Sequence, residues 1–66
     1  MKILRLTQVM DCTGLGRSTV YKYIAEGLFP KPIQLGYRAV GWLESEVTDW
    51  IKARIKERDD SELKSA

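Results

Sequence analysis

Histidine is absent from this 66-residue chain, and cysteine occurs once, at Cys12. These two shortages exclude the Cys/His spacings of zinc sites and any disulfide framework. A lone cysteine fits a reducing compartment. No apolar run approaches the roughly 20 residues that a transmembrane helix needs. The N-terminus has neither a long apolar core nor a small-residue cleavage site, so no secretory leader is expected and the expected location is cytoplasmic. A chain this short makes one domain with little room for a deep core or a pocket. The acids Glu44, Glu46 and Asp49 cluster at a helix start, where they complement the dipole, and no partner ligands lie near them. With no histidine base in the chain, Cys12 is expected to be a small buried hydrophobe. No catalytic residue, metal or cofactor is expected.

The net charge is only +2, but it is unevenly spread. Residues 1–42 hold six basic residues, Lys2, Arg5, Arg17, Lys22, Lys31 and Arg38, against Asp11 and Glu26, a surplus of four. Residues 43–66 hold five basic residues against seven acidic ones, a deficit of two. Phosphate neutralisation needs clustered Lys and Arg, so the first part is the better candidate for binding nucleic acid.

Residues 3–6 form a short apolar run that suits a brief edge strand or an extended lead-in. Thr7 has the hydroxyl of an N-cap, which predicts a very short helix from Gln8 to about Cys12. Thr13-Gly14-Leu15-Gly16 reads as a turn, with Gly14 left-handed and Gly16 capping the next helix. That helix spans Arg17 to Glu26. Val20 and Ile24 form its inner face with Tyr23 adjoining, and Thr19 lies at the boundary. Gly27 stops it in a left-handed conformation, and Leu28 is expected to fold back onto Tyr23.

Phe29-Pro30-Lys31-Pro32 cannot continue a helix. Two short strands follow, Ile33-Gln34-Leu35 and Ala39-Val40-Gly41-Trp42, around Gly36-Tyr37-Arg38. Val47, Trp50, Ile51 and Ile55 then repeat at helical spacing, which predicts a third helix from about Glu44 to Glu57. The division expected is a winged helix-turn-helix DNA-binding domain at 1–57 and a frayed polar tail at 58–66. The fold class is mainly α with a small β-hairpin.

A short helix, a glycine turn and a second helix with a polar outer face can deliver that second helix to the major groove. Arg17, Ser18 and Thr19 occupy its first turn, and Tyr21 and Lys22 extend the same surface. The plain alternative is the solvated face of a core helix. If Arg17 reads a guanine, its loss removes on the order of 1–3 kcal/mol of specific binding. Lys31 and Arg38 lie on or near the hairpin, and Tyr37 sits at its tip. An Arg there can follow the backbone or enter the minor groove. Tyr37 equally suits a rim aromatic packed on its own hairpin. Trp42 and Trp50 could stack on a ligand, but both fall on apolar faces and are expected in the core with Phe29, Met10 and Tyr23.

Several runs together resemble one family. They are Arg5-Leu6 with Val9, Thr13-Gly14-Leu15, Arg17-Ser18-Thr19-Val20-Tyr21, Glu26-Gly27, Phe29-Pro30-Lys31-Pro32 and Leu35-Gly36. The run Arg38-Ala39-Val40-Gly41-Trp42, leading into Leu43-Glu44-Ser45-Glu46-Val47, is the most distinctive. Across roughly residues 4–56 the sequence resembles the AlpA family of small phage and prophage DNA-binding regulators, which are similar to excisionases and to MerR-type DNA-binding domains. The resemblance implies an excisionase-like winged helix, with its second helix in the major groove and its wing on the adjacent backbone. It also implies control of integrase expression or of excision, double-stranded DNA as partner, and a nucleoid-bound state. Gly16 departs from a family position usually held by Ser, and Tyr37 from one where a small residue is common. Excision by an architectural factor, self-association or cooperative binding on DNA, and a protein-interaction module presented by the third helix remain open alternatives.

Overall fold

A computed structural model describes residues 1–65, with side-chain surroundings for residues 1–61. The order is β1 (Ile3–Leu4), α1 (Leu6–Thr13), α2 (Arg17–Ala25), β2 (Ile33–Gly36), β3 (Ala39–Leu43) and α3 (Glu44–Ser65). The three strands form one antiparallel sheet in the order β1-β3-β2. Leu4 faces Trp42 across one ladder, and Ile33 faces Gly41 across the other. The predicted hairpin is present, and the Ile3–Leu4 lead-in pairs with its second strand, which makes β3 central. This mainly helical architecture with a small antiparallel sheet is the winged-helix class expected from the sequence.

The start of α1 corrects the reading of Thr7 as N-cap. Arg5 holds that position in extended conformation, with φ −87° and ψ 167°. Its amide donates to Gln8 Oε1 at 2.8 Å, so the glutamine three residues on does the capping. Thr7 instead lies inside the first turn, because the β1 pairing ends at Leu4 and lets the helix begin earlier. At the other end, the Thr13 hydroxyl donates to the Val9 carbonyl at 2.8 Å and accepts from the Leu15 amide at 3.2 Å. Gly14 is left-handed as expected, and its amide donates to Met10 at 2.8 Å.

Helix α2 begins at the Gly16 cap and ends as its sequence predicts. Gly27 has φ +75°. The Gly27 amide donates to the Ile24 carbonyl at 3.1 Å and the Leu28 amide to the Tyr23 carbonyl at 2.7 Å. That pair of bonds is the Schellman ending. Leu28 is 54% exposed and lines an open groove with Tyr23 and Trp50.

The core consists of Leu4, Val9, Val20, Phe29, Trp42 and Val47, flanked by Met10, Leu15, Tyr23, Ile24 and Trp50 among others. Both tryptophans pack as expected. Trp42 is fully buried, and Trp50 meets the Phe29 ring edge-on at 5.0 Å. Cys12 is a correction: it is exposed rather than buried. The inner stripe of α1 runs through Leu6, Val9, Met10 and Thr13, and Cys12 falls off that stripe at about 100° per residue.

Helix α3 also differs from its predicted end near Glu57, because it continues to Ser65. No Gly or Pro interrupts residues 56–65, and Lys, Glu and Arg are good helix formers. Arg54 and Glu57 pair at 2.6 Å along its exposed face. Ile55 is 44% exposed, so the apolar stripe outruns the core at its last position. Ala66, the end of the expected tail, lies outside the described residues.

Candidate nucleic-acid interface

The turn between α1 and α2 fixes which side of α2 faces outward. Val20 is buried and Ile24 partly buried against the core. At about 100° per residue, Ser18, Lys22 and Ala25 then lie outermost. Arg17 and Tyr21 stand one turn apart on one flank. Thr19 lies on the opposite flank and is half-buried. Arg17 is the first helical residue, and the Gly16 cap contributes no side-chain hydrogen bond to the amides behind it.

The Arg17–Tyr21 flank meets two other elements. Arg5 and Thr7 from the start of α1, Arg17 and Tyr21 from α2, and Arg38 from the hairpin line one cleft of about 370 Å³. Leu6 and Val40 complete its lining. The ion pairs among the described residues are Lys2–Glu44, Arg54–Glu57 and Arg58–Asp59, so none of the cleft arginines is held by a carboxylate. Three arginines, from the cap of α1, the first turn of α2 and the hairpin tip, thus line one recess. Two helix N-termini add their partial positive charge to it.

The hairpin tip is a two-residue turn, Tyr37-Arg38, with a register shift between Gln34 and Gly36. Arg38 is left-handed at φ +58°, the one positive φ outside glycine among the described residues. Its guanidinium lies 5.2 Å from the centroid of the Tyr37 ring, and Tyr37 is 89% exposed. The ring therefore leans on the neighbouring arginine at the tip rather than on the strands. Gln34 braces the turn by donating from Nε2 to the Gly36 carbonyl at 2.6 Å.

Of the sequence-predicted residues, Arg17, Tyr21 and Arg38 converge on the cleft, and Ser18 and Lys22 are exposed beside it. Tyr37 does not line the cleft; its ring lies beside Arg38 at the hairpin tip. Lys31 is exposed in the segment before β2 and does not line the cleft. Arg5 and Thr7 were not among the predicted contacts. Thr7 carried a signal, a hydroxyl at a helix start, but its reading as a cap hid the cleft-lining position.

A family model described as the prophage CP4-57 regulatory protein (AlpA) matches residues 2–55. The chain belongs to the AlpA family. It is 37% identical over 62 residues to the DNA-binding transcriptional activator AlpA of Escherichia coli, covering 85% of this chain and 89% of that protein. It is 47% identical over 57 residues to the uncharacterized protein ORF88 of Enterobacteria phage P4, covering 86% of this chain. The match spans 65% of the phage P4 protein's length. The AlpA match takes in β1, both helices of the turn motif, the whole hairpin and half of α3, so every element lining the cleft lies within it. Among the described residues, no group of three or more His, Cys, Asp or Glu side chains could hold a metal ion. Among the described residues, no helix is long and apolar enough to cross a membrane.

Proposed function

We propose that the chain is a sequence-specific DNA-binding transcriptional regulator of a prophage or integrative element, with residues 1–57 as its DNA-binding unit. Helix α2 enters the major groove, which is wide enough for one helix and carries the readable base edges. The β2–β3 hairpin lies on the adjacent backbone. Arg17, Ser18, Thr19, Tyr21 and Lys22 are the helix contacts, and Lys31, Tyr37 and Arg38 are the wing contacts. The observation that carries this reading is the convergence of Arg17 and Arg38 on one cleft, with no carboxylate among the described residues paired to either.

The regulated event is integrase expression or prophage excision. The protein works on the nucleoid in the cytoplasm, with no cofactor and no catalysis. One copy this small covers a short site, so repeated or cooperative binding along DNA accompanies the reading. Presentation of Trp50 to a protein partner is less favoured, because its indole already packs on Phe29 and donates to the Leu28 carbonyl at 2.6 Å.

The test is an anisotropy titration of the full chain with DNA flanking its own gene and any adjacent integrase gene, and with mixed-sequence duplex. Both bind at low salt, and the flanking DNA contains a site held about a thousand-fold tighter or more. No binding to any duplex at about 50 mM salt would overturn the proposal.

A further inference from the structure

We infer that the cleft between α1, α2 and the hairpin seats a single backbone phosphate, and that Arg17 holds that phosphate instead of reading a base. This rests on the DNA-binding reading and goes beyond it in two respects. It adds Arg5 and Thr7 to the interface, and it moves sequence discrimination off Arg17.

The first argument is electrostatic. Arg5, Arg17 and Arg38 come from three separate elements and line the same recess. Without an anion their charges repel one another, and no carboxylate among the described residues pairs with them. A side-chain cluster that served only the fold would be expected to carry its own counter-charge. A phosphate supplies that charge from outside, and guanidinium groups match its oxygens bidentately. Thr7 and Tyr21 line the same recess, and a hydroxyl can donate to a phosphate oxygen.

The second argument is geometric. Arg17 lies on the flank of α2 that faces α1 and the hairpin, one turn below Tyr21. The row that points away from the core is Ser18 and Lys22. A helix docked by that outward row brings Ser18 and Lys22 to the base edges and leaves Arg17 beside the groove wall, where the backbone runs. Arg38 approaches the same point from the wing. One phosphate held between them fixes the angle between recognition helix and wing, which is the positioning that backbone contacts provide.

The test uses the full chain, a duplex enriched by the wild-type protein from a random pool, and a mixed-sequence duplex. Affinities are measured between about 50 and 200 mM salt. Arg5→Ala and Arg17→Ala each weaken binding to both duplexes by the same factor, about ten-fold, and lower the salt slope by about one. Lys22→Ala weakens the enriched duplex more than the mixed one. A scan of the enriched duplex with single neutral methylphosphonates finds one position that weakens the wild type but does not further weaken the Arg5→Ala/Arg17→Ala double variant. Unchanged thermal melting of Arg5→Ala confirms that the loss is not one of folding. A loss in Arg17→Ala confined to the enriched duplex would make Arg17 a base reader and overturn the inference. So would a wild-type salt slope in Arg5→Ala, or the lack of any shared methylphosphonate position. Each of these leaves the DNA-binding reading standing, whereas a wild-type protein that binds neither duplex removes both.

Discussion

The indole nitrogen of Trp42 donates to the carbonyl oxygen of Pro30 at 2.9 Å. Trp50 makes the matching bond to the Leu28 carbonyl at 2.6 Å. One tryptophan comes from the central strand and the other from α3, and both grip the segment that carries the chain from α2 to the wing. The segment leading into the hairpin is therefore held by two side chains that do not line the cleft.

Replacing Trp42 with Phe keeps the apolar bulk but strands the Pro30 carbonyl in a part-buried site. We expect a loss of about 2–3 kcal/mol in urea unfolding. Trp50→Phe, whose bond is exposed to water, should lose about 1 kcal/mol or less. Equal losses would show that the Trp42 bond has no special place in holding the hairpin.

Gly41 lies in the central strand β3, opposite Ile33 of β2 and next to the Leu4–Trp42 pair. A Cβ there would collide with Ile3 Cγ2 and would sit 3.0 Å from Leu35 Cδ1 and 3.1 Å from the Leu4 carbonyl oxygen. The last contact is with backbone and cannot rotate away. Gly41→Ala should therefore cost on the order of 1–3 kcal/mol, measured by thermal or urea unfolding. A wild-type midpoint would mean that β1 does not lie over this position.

Gly27 and Arg38 share the left-handed region, with φ +75° and +58°, but only one of them is a glycine. Gly27→Ala should lower stability by about 1–2 kcal/mol. Arg38→Gly should relieve strain and raise stability by at most about 1 kcal/mol, the gain being trimmed by glycine's greater freedom in the unfolded chain. The same substitution should weaken binding to every duplex, since it removes a wing cation. Destabilisation by Arg38→Gly would show that the guanidinium contact with Tyr37 matters more than the backbone conformation.

Cys12 is exposed beside Trp50, Ile51 and Ile55. The folded protein should therefore react with iodoacetamide, a neutral reagent, within about ten-fold of the rate in denaturant. Protection by several orders of magnitude would place the thiol in the core after all.

Local chemistry made much of this protein legible. Gly27 after Ile24 fixes a helix stop because only a residue without Cβ enters the left-handed region freely. The prolines at 30 and 32 separate helix from hairpin because they cannot donate. Alternation from Ile33 to Trp42 marks two strands. Three readings failed, each for its own physical reason. Thr7 lost its capping role because strand pairing of Leu4 with Trp42 brought the helix start forward. Cys12 is exposed because the packing of α1 left it off the inner face. Helix α3 passed Glu57 because absence of periodicity signals the end of a core contact and not the end of a helix.

The family, the order of the elements and the basic bias of residues 1–42 are all written in local patterns of glycine, proline, charge and apolar spacing. That Arg5, Arg17 and Arg38 line one cleft is a property of the folded chain. Thirty-three positions separate the first from the last, and no spacing rule relates them. They meet because a central β3 pairs with β1 on one edge and β2 on the other, and so brings the hairpin alongside the starts of both helices.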